Sequence, residues 1–90
     1  MKFNQLTIIT RDNCGWCVKA KELMDDYVIS YKEIKIPVSL SREEFFVLVE
    51  KYDTTSTVPK IFEGNDLIGG YEDLASWIEG HFGGYGKGQI

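Results

Sequence analysis

Apolar residues come in short blocks along this chain, and the spacing within each block predicts what it folds into. Leu6-Thr7-Ile8-Ile9-Thr10 is β-branched and closed by the polar cluster Arg11-Asp12-Asn13, as a buried strand running into a loop should be. From Cys14 or Gly15 onward, Ala20, Leu23, Met24, Tyr27 and Val28 recur at three and four residues and mark one face of a helix. Cys14 therefore falls at a helix start. Tyr31, Glu33 and Lys35 alternate with Lys32, Ile34 and Ile36 until Pro37 stops a second strand. Ser41 and Glu44 form a capping box ahead of a stripe of Phe45, Leu48, Val49 and Tyr52, so a second helix is expected to run to about residue 52. Asp53-Thr54-Thr55-Ser56-Thr57 reads as a loop. Lys60-Ile61-Phe62, the turn Glu63-Gly64-Asn65 and Asp66-Leu67-Ile68 then make a β-hairpin. Gly69-Gly70 precede a closing helix striped by Tyr71, Leu74, Ala75, Ile78 and Phe82, and the half-glycine segment 83–90 reads as a flexible tail. The order βαβαββα predicts a mixed sheet, because the first strand pair needs a parallel crossover and the hairpin is antiparallel.

Ninety residues allow one core and no second one. The longest unbroken apolar run, Phe45 to Val49, is far shorter than the roughly 18 residues of a bilayer span. Met1-Lys2-Phe3-Asn4-Gln5-Leu6 is broken by polar residues, unlike a secretory leader, which leads to an expectation of a cytoplasmic protein with no membrane partner. A net charge of −4 disfavours nucleic acid as a partner. Between residues 11 and 21, however, Arg11, Lys19 and Lys21 face only Asp12, so a local positive excess surrounds both cysteines.

Those cysteines, in Cys14-Gly15-Trp16-Cys17, stand one helical turn apart, close enough for a disulfide to close without unfolding the helix. Cys14, at the helix N-terminus, meets unpaired N–H groups and the positive end of the dipole, which favour its thiolate; it is the expected nucleophile. Cys17, one turn inside, is the expected resolving thiol. The same spacing is half a zinc site, but His81 is the only histidine and no second cysteine pair exists, so a closed zinc site lacks a ligand. Val58-Pro59 opens a strand at a bond where a cis peptide costs little; if cis, the Val58 backbone is free to pair with an extended peptide, and the residues alone leave the isomer open. Gly69-Gly70 turn the chain so that donors at Tyr71 and Glu72 can grip a carboxylate, while Asp73 suits either an ammonium or simply the helix dipole. Trp16 reads as a substrate contact and Trp77 as structural, with Asp25-Asp26 and Glu43-Glu44 on solvated faces.

Taken together, Arg11, Cys14-Gly15-Trp16-Cys17-Val18-Lys19-Ala20-Lys21, Thr57-Val58-Pro59 and Gly69-Gly70-Tyr71-Glu72-Asp73-Leu74 make residues 5–82 resemble the dithiol glutaredoxins of the thioredoxin-like superfamily. The resemblance implies an α/β thioredoxin-like (glutaredoxin) fold with a four-stranded mixed sheet and three helices, in a domain over 1–82. It implies a glutathione-dependent thiol-disulfide oxidoreductase that reduces glutathione mixed disulfides and protein disulfides, with Cys14 as nucleophile, Cys17 resolving and Pro59 cis. Glutathione, as co-substrate, would meet Arg11, Trp16, Thr57, Val58, Pro59, Tyr71, Glu72 and Asp73. Disulfide-containing or glutathionylated proteins, ribonucleotide reductase among them, would be partners of a monomer. Gly15 stands where proline is usual and Trp16 where tyrosine is usual. Relatives with a small residue in place of that proline hold a glutathione-ligated [2Fe-2S] cluster between two subunits, which gives an alternative in which Cys14 is a cluster ligand. A third reading is a thioredoxin-like reductant recharged by a flavoprotein reductase.

Overall fold

The structure, a computed structural model, describes residues 5–81; Phe82 and the tail 83–90 lie outside the described residues. The elements are β1 (Leu6–Arg11), α1 (Gly15–Asp26), β2 (Tyr31–Ile36), α2 (Arg42–Lys51), β3 (Lys60–Glu63), β4 (Asp66–Gly69) and α3 (Tyr71–His81). The predicted order βαβαββα is the observed one. Four strands form one sheet in the order β2-β1-β3-β4. β1 pairs with β2 in parallel and with β3 antiparallel, and β3 and β4 form the antiparallel hairpin. The hairpin turn is one residue tighter than its sequence suggests, because Glu63 still pairs with Asp66.

β1 is an interior strand with both edges paired, and helices cover both of its faces. Leu6 and Ile8 pack on one side with Ala20 and Met24 of α1, Ile61 of β3, and Leu74 and Ile78 of α3. Ile9 points the other way, against Ile36, Phe45 and Phe62 beneath α2. The sequence patterns hold where they are local. Ser41 and Glu44 form the capping box, with Glu44 N–H donating to Ser41 Oγ at 3.0 Å and Ser41 N–H to Glu44 Oε1 at 2.9 Å. Tyr52 caps the other end of α2, and its hydroxyl donates to the Asn65 carbonyl at 2.6 Å, fastening that helix end to the hairpin.

The helical stripe assigned to α1 runs too far. The helix ends at Asp26; Tyr27 is its C-cap, and Val28 is 91% exposed at φ 56°. Val28 N–H bonds to the Asp25 carbonyl and Ile29 N–H to the Met24 carbonyl, which is a Schellman reversal with Val28 at its left-handed position and Ile29 taking the core place instead. The same pair of bonds ends α2, but there the left-handed residue is Asp53, a type that tolerates the conformation. A β-branched residue at such a position costs about 1–2 kcal/mol, and Val28 has no packing to offset it. Val28→Gly is therefore expected to stabilise the protein by about 1 kcal/mol and to raise the melting temperature by roughly 4–8 °C. Calorimetry checks this, and an unchanged or lower midpoint would contradict it.

Candidate active site

β1 delivers the chain to Arg11, and a turn with Asn13 at φ 57° carries it into Cys14. Cys14 is the N-cap of α1, extended at φ −121°, with its Sγ accepting the Cys17 N–H at 3.2 Å. A serine at an N-cap satisfies the same orphan donor. A sulfur held there takes its negative charge where backbone dipoles converge, and α1 has no acidic residue in its first turn to oppose it. The two cysteines form a disulfide with Cα atoms 5.3 Å apart, within the usual bridging range. Cys17 is 2% exposed, whereas Cys14 is only partly covered, so one sulfur faces outward and the other inward.

The cationic surroundings differ from what the local composition suggests. Lys21 reaches across to β2 and pairs with Glu33 at 3.1 Å. The Thr10 hydroxyl, donating to the same Glu33 oxygen at 2.7 Å, holds that carboxyl below its ordinary pKa, and Lys21 adds to the effect. Lys19 Nζ lies 5.7 Å over the Trp16 ring, and Asp12 is taken by Lys35 at 3.0 Å. Of the three expected cations, Lys21 is thus committed elsewhere, because its position in the second turn of α1 faces β2.

The Val58–Pro59 bond is cis, as is Ile36–Pro37, for which the sequence reading gave no expectation. The Val58 carbonyl oxygen lies 3.9 Å from Cys14 Sγ, a contact only, since a disulfide sulfur has no hydrogen to donate. Two cavities flank this point. One of about 240 Å³ is lined in part by Arg11, Thr57 and Val58; the other, of about 250 Å³, by Trp16, Gly70, Tyr71, Glu72 and Asp73. Seven of the eight residues proposed for glutathione therefore line one cavity or the other. Pro59 is buried, and a Cβ on Gly70 would stand 3.7 Å from its carbonyl oxygen. Trp16 is 55% exposed with its ring 5.4 Å from that of Tyr71, while Trp77 packs against the core. Asp73 has a structural task as well: its Oδ2 accepts the Gly70 N–H at 3.1 Å and caps α3.

Lys60 escaped the sequence reading. It is 3% exposed and donates to Thr55 Oγ1 at 3.2 Å and Thr57 Oγ1 at 3.1 Å, bracing the loop before Pro59. Burial pushes its pKa down, against the opposing charge of Asp73. A lone lysine opening the otherwise apolar strand Lys60-Ile61-Phe62 was the available signal.

Residues 6–68 match the family model described as Glutaredoxin. The chain belongs to the glutaredoxin family. Over 69 residues this glutaredoxin is 39% identical to Glutaredoxin 1 of Rickettsia prowazekii (strain Madrid E), a match covering 77% of the chain and 72% of that protein. The structure of E. coli glutaredoxin matches with a TM-score of 0.66 at 29% identity, over 88% of this chain and 98% of that one. A buckwheat glutaredoxin–glutathione complex shares the fold, with a TM-score of 0.69 at 24% identity over 89% of this chain and 71% of that one. The chain is a thiol-disulfide oxidoreductase of thioredoxin-like fold, with Cys14 and Cys17 as its redox-active pair. Among the described residues no helix is long and apolar enough to cross a membrane, and no cluster of three or more metal-ligating side chains occurs. His81 Nδ1 meets the Trp77 carbonyl at 3.0 Å in its own helix. Cys14 and Cys17 are the only thiols in the sequence, two of the four that a [2Fe-2S] cluster ordinarily takes.

Proposed function

We propose that the protein is a glutathione-dependent reductase of glutathione mixed disulfides and protein disulfides. The observation that carries this reading is the outward sulfur of Cys14, at a helix N-terminus and beside the Val58 carbonyl, with a cavity on either side and Cys17 buried behind it. In the first reaction the Cys14 thiolate attacks the glutathione sulfur of a mixed disulfide; the client leaves as a thiol, and a second glutathione then attacks the Cys14-bound one, releasing glutathione disulfide and restoring the thiolate. In the second, Cys14 attacks a protein disulfide, Cys17 displaces the client from Cys14, and two glutathiones reduce the Cys14–Cys17 bond. Bound glutathione would lie along Thr57, Val58 and Pro59, with its γ-glutamyl end at Tyr71, Glu72 and Asp73 and contacts from Trp16 and Arg11. That the buckwheat neighbour is a glutathione complex supports the choice of thiol. The proposal extends to a monomer working in the cytoplasm, with ribonucleotide reductase among its clients.

Turnover of a small glutathione mixed disulfide, coupled through glutathione reductase, tests the reading. Activity is expected to require glutathione. Undiminished turnover when glutathione is left out and a flavoprotein thioredoxin reductase supplied would overturn it.

A further inference from the structure

Lys60 opens β3 opposite Ile9 of β1, and Phe62, next along the same face, belongs to the apolar layer beneath α2. A charge buried in such a place is costly, and an aliphatic residue would fill the position without that cost. What the ammonium gains instead lies in the preceding loop and in α3. It donates to Thr55 Oγ1 at 3.2 Å and to Thr57 Oγ1 at 3.1 Å, and those oxygens stand 3.0 Å from each other, so the groups close a triangle. Both hydroxyls accept from the nitrogen, which leaves the hydrogen of one free to reach the other. Asp73 of α3 is the charge that acts on Lys60 from outside the triangle; it favours the ammonium, while burial favours the amine and prevails. The triangle lies where a small movement matters. Thr57 and Val58 line one cavity and Asp73 the other, with the Val58 carbonyl oxygen 3.9 Å from Cys14 Sγ, whereas Thr55 and Lys60 line neither.

We propose that Lys60 is a positioning residue for substrate binding: through the hydroxyls of Thr55 and Thr57 its ammonium holds the 55–58 segment in the shape that presents the Val58 backbone beside Cys14, and through Asp73 it sets that segment against the start of α3. Lys60 itself touches no substrate. The proposed binding of glutathione along Thr57 and Val58 underlies this assignment. Charge is essential to the role, since hydrogen bonds from an ammonium are roughly twice as strong as those from a neutral amine, and a neutral amine gives Asp73 no opposite charge. While Lys60 is protonated the segment is held. As pH rises Lys60 loses its proton earlier than an ordinary lysine does, and the hold slackens.

Kinetics on a glutathionylated peptide test this. Lys60→Met keeps most of the side-chain length and removes the charge; KM for the peptide is expected to rise about tenfold with kcat within about twofold of wild type, and Lys60→Arg to recover most of the loss. Oxidation of the pre-reduced protein by bis(hydroxyethyl) disulfide, which has no peptide group to lay along Val58, should stay within about twofold of wild type in both variants. Thr55→Ala should raise KM about threefold in the wild type and hardly at all in Lys60→Met, as expected of two groups that act as one. Toward the pH range where ordinary lysines titrate, the wild-type KM should climb relative to that of Lys60→Arg, whose guanidinium keeps its proton. An unchanged KM in Lys60→Met, additive effects of Thr55→Ala and Lys60→Met, or parallel pH profiles of wild type and Lys60→Arg would overturn the proposal. So would equal losses on the glutathionylated peptide and on bis(hydroxyethyl) disulfide, the mark of a general defect of the fold. Should Lys60→Met fail to fold, Thr55→Ala and the pH profile of Lys60→Arg decide. A wild type that ignores the glutathionylated peptide but reduces a disulfide-cyclised one would count against the glutathione reading alone, and the same variants on the cyclised peptide, which also lies along Val58, would then decide the role of Lys60.

Discussion

Serine at position 14 is expected to reduce both disulfide reactions to background, the largest effect of any single replacement in this chain. The reason lies in the atom that the helix start holds. Cys14 Sγ takes the Cys17 N–H at 3.2 Å and sits at the N-cap, where the dipole and the free N–H groups favour an anion. A thiol ionises readily in that setting, whereas a hydroxyl, which makes the same hydrogen bond, stays protonated near neutral pH and cannot form a mixed disulfide. Cys17→Ser is expected to behave differently. It should keep the glutathione mixed-disulfide reaction, in which a second glutathione does the resolving, and lose the reduction of protein disulfides. Iodoacetamide added to the reduced protein near neutral pH should label Cys14 first, because Cys17 is 2% exposed and one turn inside the helix. Coupled assays on the two variants and mass spectrometry of the alkylated protein supply the readouts. Equal loss of both reactions in Cys17→Ser, or preferential labelling of Cys17, would reverse the roles assigned to the two sulfurs.

The helix start at Cys14, the Ser41–Glu44 box and the Gly69-Gly70 entry to α3 were legible because each is a contact between residues a few positions apart. What could not be read depends on partners distant in sequence or on a conformation foreign to its residue. Lys21 looked like a neighbour of the cysteines until Glu33 of β2 claimed it, and Glu33 itself is held by Thr10 of β1, 23 positions away. Lys60 was read only as the first residue of a strand, yet it is buried and the 55–57 loop supplies hydroxyls to it. Val28 continued the apolar stripe of α1, but the chain must reverse there to bring β2 alongside β1, and that geometric demand overrides both helix periodicity and valine's preference. Arg42 drew no reading from the sequence, because only the closed fold brings it to the same cavity as Arg11, 31 positions earlier.

Gly69→Ala should be the most damaging replacement outside the cysteines and the core, because it fails on two separate grounds. The residue sits at φ +129°, where L side chains rarely go, at a cost of about 1–3 kcal/mol. A Cβ there would also overlap the Asp73 side chain. Asp73 would have to turn away, giving up the Gly70 N–H that it caps at 3.1 Å, a loss worth about 1 kcal/mol. The sum, about 2–4 kcal/mol, is a large fraction of a small domain's stability, and the melting temperature should fall on the order of 15 °C. Function should follow in a particular way. Gly70 and Asp73 line the cavity beside Trp16, whereas the sulfurs are positioned by α1, so at a temperature where the variant is folded its KM for glutathione should rise well before kcat falls. Gly15→Ala is the control, since a Cβ at Gly15 meets nothing within 4 Å and its backbone is helical. Calorimetry and steady-state kinetics on the two variants decide the matter: a Gly69→Ala protein melting with the wild type, or losing kcat at unchanged KM, would mean that the turn into α3 neither strains the backbone nor shapes the site.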